Sequence, residues 1–143
     1  MNQHLTTPFW ALRIGLGAAA FLAGLDKFFN ILADWESYLS PLVVQWVPVS
    51  PAAFMRAAGV IEMIAGAAVL AGLTRLGGYV VAAWLLAIAA SLVTTGHFFD
   101  VAVRDVIMAI AAFTMARMSE VRESSSERIE APLAQPAART VRA

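Results

Sequence analysis

Apolar residues fall into four long runs, Pro8 to Phe29, Pro51 to Leu73, Leu76 to Thr95 and Val101 to Met118, with polar residues gathered between and after them. Each run has the length that a hydrocarbon core about 30 Å thick requires of a helix. At about 1.5 Å per residue the second would extend roughly 34 Å. Residues suited to helix ends punctuate the runs: Thr7 as N-cap with Pro8 at the first helical position, Ser50 with Pro51 repeating the device, Gly96 closing the third run and Asp100 capping the fourth. Only a few residues around Thr74 and Arg75 join the second and third runs, which makes those helices antiparallel neighbours. The pattern predicts an all-α fold, an integral membrane bundle of four transmembrane helices running up-down-up-down within residues 1–118.

The polar segments orient that bundle. Arg75 lies in the link between the second and third runs, and Arg117, Arg122, Arg128, Arg139 and Arg142 follow the fourth, whereas residues 30–50 contain no Lys or Arg. By the bias of basic residues toward the cytoplasm, both termini are expected inside. Residues 30–50 then form the first outer loop, where Asp34 and Glu36 are acidic and Trp35, Tyr38 and Trp46 suit a short, half-buried interfacial helix. Residues 119–143 are polar, Ser-rich and interrupted by Pro, and are expected to form a disordered cytoplasmic tail beyond any continuation of the fourth helix.

Composition narrows the chemistry. With 60% hydrophobic and 14% charged residues the chain lies outside the soluble range. Net charge is zero and only one of the ten basic residues is a lysine, which sets nucleic acid aside as a partner. The absence of cysteine removes disulfides, thiolate nucleophiles, iron–sulfur clusters and Cys-ligated zinc. The two histidines, His4 and His97, lie far apart in the chain and do not suggest a haem site, and no metal-ligand set is evident. The N-terminal run lacks a basic leader and contains Arg13, Asp26 and Lys27, so it reads as a retained helix.

Asp26, Lys27, Arg56, His97, Asp100, Arg104 and Asp105 all fall in the outer half of the expected bundle, and Glu62 falls near mid-membrane. An Arg, Lys or Asp at a helix centre costs about 2.5 to 3.5 kcal/mol when it faces lipid, so these groups are expected to point inward and pair. Neighbouring residues diverge by about 100° around a helix, which sends Asp26 and Lys27 to different partners and separates Arg104 from Asp105. Asp100 and Arg104, four apart, suit a local pair. Glu62 has no sequence-local partner and needs a donor from another helix or a proton. Two readings of the set stand level: a network fixing a bundle whose interfaces are small residues, such as Ala20 with Gly24 and Ala68 with Gly72, or a polar ligand site. The candidate ligand-binding residues are Asp26, Lys27, Arg56, Glu62, His97, Arg104 and Asp105; no catalytic residue is assigned.

"LRIGLGAAAFLAGLDKFFN" in the first run, the glutamate and glycine-rich end of "IEMIAGAAVLAGLTRLGG" in the second, and "FFDVAVRDVIMAIAAF" opening the fourth resemble the DoxX family of small four-helix membrane proteins over about residues 8–118. The resemblance marks Arg13, Lys27, Glu62, Arg104 and Asp105 as family-like polar positions. It implies association with thiosulfate:quinone oxidoreductase-type or oxidative-stress redox partners. The first expectation is therefore an accessory or quinone-linked redox subunit in the inner (cell) membrane of a bacterium or archaeon. A quinone is the candidate cofactor, a membrane or peripheral redox protein the candidate partner, and a homo-oligomer a further one. An oxyanion held between Lys27, Arg56 and Arg104 is a variant of that site. The alternatives are a non-enzymatic scaffold for a partner protein and a transporter of a small solute or proton.

Overall fold

The computed structural model describes residues 5–130, with side chains through residue 125, and the elements of this stretch are all helical. They are α1 (Thr6–Asp26), a 3-10 turn (Trp35–Tyr38), α2 (Pro41–Trp46), α3 (Pro51–Ala71), α4 (Thr74–Thr94) and α5 (Phe99–Glu130). Helices α1, α3 and α4 are long and apolar enough to cross a membrane. Helix α5 coincides with the fourth expected run but is more polar: it carries Asp100, Arg104 and Asp105 near one end and Arg117, Glu120, Arg122 and Glu123 toward the other.

Helix ends follow the sequence in part. Ser50 accepts a bond from the Ala53 amide at 3.3 Å with Pro51 next to it, as expected of that cap. Thr7 does not cap α1, because the helix begins two residues earlier, at Thr6, and leaves Thr7 and Pro8 inside its first turn. Proline is tolerated there because first-turn amides have no intrahelical acceptor. Asp100 likewise lies in the first turn of α5 rather than before it, where a carboxylate still favours the positive end of the helix dipole. The link between α3 and α4 is only Gly72 and Leu73, so Thr74 and Arg75 already belong to α4. Gly72 adopts a left-handed φ of 115°, and the amides of Gly72 and Leu73 return to Val69 and Ala68, a hydrogen-bonded stop that turns the chain sharply. The helix expected to end at Met118 runs on to Glu130; residues 131–143 of the expected tail lie outside the described residues.

The expected interfacial helix is two short pieces, the 3-10 turn and α2. None of the α2 residues is buried and Trp46 is 78% exposed, so α2 lies on the outside of the protein. Its anchor is Ser40, whose hydroxyl caps the Leu42 amide and meets the Thr94 hydroxyl at 2.6 Å.

Helix α1 packs against α3, α3 against α4 and α4 against α5, with α5 returning to α1. The α1–α3 contact is built on Gly17, Gly24, Gly59 and Gly66, so of the expected small-residue pairs Gly24 stands at the closest approach. A Cβ on Gly24 would lie 2.5 Å from the Gly59 carbonyl oxygen, and one on Gly66 would lie 2.6 Å from that of Gly17. Small residues permit this approach, and in lipid the close packing it allows supplies much of the association energy. Glycine 78 gives α4 the same freedom against Ala112 and Ala116 of α5. Val69, Ala112, Met115 and Ala116 are wholly buried and fill one half of the protein. The other half, between the C-terminal ends of α1 and α4 and the N-terminal ends of α3 and α5, contains a cavity.

Candidate functional site

The close α1–α3 crossing sets the centre of this half. Lys27 lies one turn beyond Gly24 and Glu62 one turn beyond Gly59, so both side chains leave the point of closest backbone approach toward each other. Lys27 Nζ donates to Glu62 Oε2 at 2.6 Å, with the two side chains 6% and 7% exposed. The second carboxylate oxygen, Oε1, accepts from Trp84 Nε1 of α4 at 3.2 Å. Glu62 therefore has the donor from another helix that its position required, and in fact two.

Asp26 turns away from this pair. Its carboxylate accepts from the Ile31 amide at 3.0 Å, the Leu32 amide at 2.9 Å and Trp35 Nε1 at 2.7 Å, folding the chain after α1 back over the helix end. The reversal passes through Asn30, whose φ of 52° is among the few positive values at a residue other than glycine. Trp35 joins the two charges: its N–H satisfies Asp26 while the Lys27 ammonium sits 3.7 Å from its ring centroid. A cation over an indole face is held by the ring quadrupole, most strongly where water is excluded.

Next to the pair lies a cavity of about 490 Å³, bounded by α1, α3, α4 and α5 and covered by Trp35, Tyr38 and Val43. Its walls are apolar, with Ala20, Ala23, Phe54, Leu85 and Leu92 among them, and Lys27, Glu62, Trp84 and Asp105 gather its polar groups. Asp105 is half-buried and, among the described residues, makes no hydrogen bond or ion pair. An ammonium has three donor protons and Glu62 takes one, so the corner offers N–H donors from Lys27 and a free acceptor, or proton carrier, at Asp105.

Of the seven candidate residues, the structure brings Lys27, Glu62 and Asp105 to one cavity and places Asp26 directly behind it. Arg56, His97 and Arg104 are exposed and do not line it. Arg104 meets Asp100 at 3.5 Å on the outer surface, the local pair that their spacing suggested. Depth along the helices placed these groups in the same half; their angle around the helix separates them, Arg104 from Asp105 by about 100°. Lys27, Arg56 and Arg104 consequently do not converge on a common oxyanion position. One member of the site, Trp84, lay unremarked in the sequence, and two, Trp35 and Tyr38, were assigned another place. Trp84 sits in the middle of an apolar run, whereas belt tryptophans sit at the ends, and a mid-span indole N–H needs an acceptor. Trp35 and Tyr38 read as interface aromatics but cover the cavity.

Arg13 shows what a structural cation looks like here: Nε donates to the Val69 carbonyl at 3.0 Å and Nη2 to the Leu70 carbonyl at 2.8 Å, completing the end of α3.

A protein-family model described as DoxX matches residues 9–99. No curated protein and no solved structure matches the chain.

Proposed function

The chain belongs to the DoxX family and is a multi-pass membrane protein, and from that premise we propose that its cavity binds a small lipophilic molecule with a polar head, in an accessory or quinone-linked redox role. In this reading α1, α3, α4 and the apolar part of α5 cross the membrane in alternating directions. The termini lie in the cytoplasm of a bacterium or archaeon and residues 30–50 lie outside. The observation that carries the reading is the cavity itself: about 490 Å³ with a mostly apolar wall, whose charged lining residues are Lys27, Glu62 and Asp105 among the described residues. Small-molecule sites have this composition, many apolar contacts for affinity and few polar ones for orientation.

A quinone fits that corner, and when bound would supply two-electron, two-proton redox chemistry. Lys27 would hold such a group by donating a hydrogen bond, and Asp105 would hold or move a proton at its carboxylate. Glu62 holds the ammonium in place and Trp84 fixes the carboxylate that holds it. Trp35 and Tyr38 add aromatic surface to the cavity wall beside Lys27. A membrane or peripheral redox protein, or a second copy of this chain, would complete the electron path.

One observation favours a scaffold instead: both oxygens of Glu62 are satisfied without any ligand, so the pair can serve packing alone. Native mass spectrometry of the gently solubilised protein, with extraction of bound small molecules, separates the two. A defined lipophilic molecule lost in a folded Asp105→Asn or Lys27→Met variant is the expected result. A folded protein that carries no small molecule but retains another polypeptide would establish the scaffold.

A further inference from the structure

The cavity bounded by α1, α3, α4 and α5 holds more carboxylate than ammonium. Among the described residues its charged lining groups are Lys27, Glu62 and Asp105. Lys27 and Glu62 meet at 2.6 Å and match one charge with one. Asp105 enters from α5, half-buried and within electrostatic reach of both, yet among the described residues it makes no hydrogen bond or ion pair. Directly behind lies the further carboxylate of Asp26, bonded to the Ile31 and Leu32 amides and the Trp35 indole, all neutral donors. Arginines at the same end do not restore the balance within the cavity: Arg56 is exposed and lines none of it, and Arg104 meets Asp100 on the outer surface. With all three lining groups ionised, one negative charge is in excess against a mostly apolar wall. Such a charge is costly until a counter-charge joins it.

The wall is also suited to a cation. The Lys27 ammonium already rests 3.7 Å from the ring centroid of Trp35, and Tyr38, Phe54 and Trp84 bring further rings to the same space. Aromatic faces attract cations, and more strongly where water is scarce.

We propose that the cavity selects a lipophilic amine, with the protonated amino head at Asp105 and the body along the apolar wall. This inference rests on the reading of the cavity as a site for a lipophilic molecule with a polar head, and it assigns the charge of that head. An ammonium donates charge-assisted hydrogen bonds to the carboxylate. A neutral carbonyl head still bonds to Lys27 but forms no charge pair. An anionic head meets two carboxylates and an ammonium already committed to one of them. An inorganic cation would find little in the apolar wall to replace its water.

Isothermal titration calorimetry of the full chain in neutral detergent, corrected for partition into protein-free micelles, tests the assignment. The probes are naphthylmethylamine, naphthylmethanol and naphthoate, which present one aromatic body with a cationic, a neutral and an anionic head. The amine is expected to bind roughly tenfold or more tightly than the alcohol, and the alcohol more tightly than naphthoate. Asp105→Asn keeps the shape of the side chain and the Lys27–Glu62 pair but removes the excess charge, and should bring amine and alcohol to comparable affinity. Should that variant fail to fold, the order of the three probes on the wild-type chain decides. An alcohol that binds as tightly as the amine, naphthoate that binds as tightly as the alcohol, or an amine preference retained in folded Asp105→Asn would overturn the assigned head charge and leave the lipophilic site standing. Failure of all three probes to bind would overturn both.

Discussion

Asp26 and Lys27 are adjacent in the chain yet hold different parts of the protein, one the loop that follows α1 and the other Glu62 of α3. That divergence was legible from adjacency alone, since one helical step separates their directions. The identity of the partners was not, because an indole at position 35 or 84 announces no acceptor until the chain has folded. Breaking the buried pair from one side leaves a desolvated charge behind, so Glu62→Gln and Lys27→Met are each expected to lower unfolding stability by about 3 to 5 kcal/mol. Replacing both residues with methionine is expected to cost far less than the sum, because no orphaned charge remains. Trp84→Phe keeps an aromatic side chain, smaller than the indole, but removes one donor from Glu62, for an expected loss of about 1 to 3 kcal/mol. Denaturant unfolding in detergent measures all four, and a double variant as unstable as both single ones combined would show that the pair is held by more than charge.

Among the helices, the glycines of α1 divide sharply. A Cβ on Gly24 would strike the Gly59 carbonyl oxygen, whereas one on Gly15 would meet nothing within 4 Å. Gly24→Ala must push α1 from α3, with an expected cost of about 1 to 3 kcal/mol, and should loosen the Lys27–Glu62 contact one turn away. Gly15→Ala should instead stabilise by about 0.5 to 1 kcal/mol through the lower freedom of the unfolded chain. Thermal melts of the two variants check the contrast, and a Gly15→Ala protein as weakened as Gly24→Ala would contradict the assigned interface. Abundant small residues in α1 and α3 were visible in sequence, but which of them touched was not. Gly17 and Gly24, spaced by seven, and Gly59 and Gly66, spaced likewise, emerged as the contact only when the rotation of both helices was known.

For the whole molecule, the alternating arrangement across a membrane proposed above makes a prediction that the absence of cysteine renders simple to test. In otherwise cysteine-free protein, Glu36→Cys should react with a membrane-impermeant thiol reagent added to intact cells. Ser124→Cys should react only after the membrane is opened, and the reverse pattern would invert the topology. The four apolar runs, the short turn between α3 and α4 and the helical character of the fold were determined by the sequence, because hydropathy, length and turn chemistry are properties of the chain read in order. Which charges would share a cavity was decided only by tertiary structure. Lys27, Glu62 and Asp105 meet while Arg56, His97 and Arg104 face outward, since depth is set by position along a helix but partnership is set by how each helix is rotated against its neighbours.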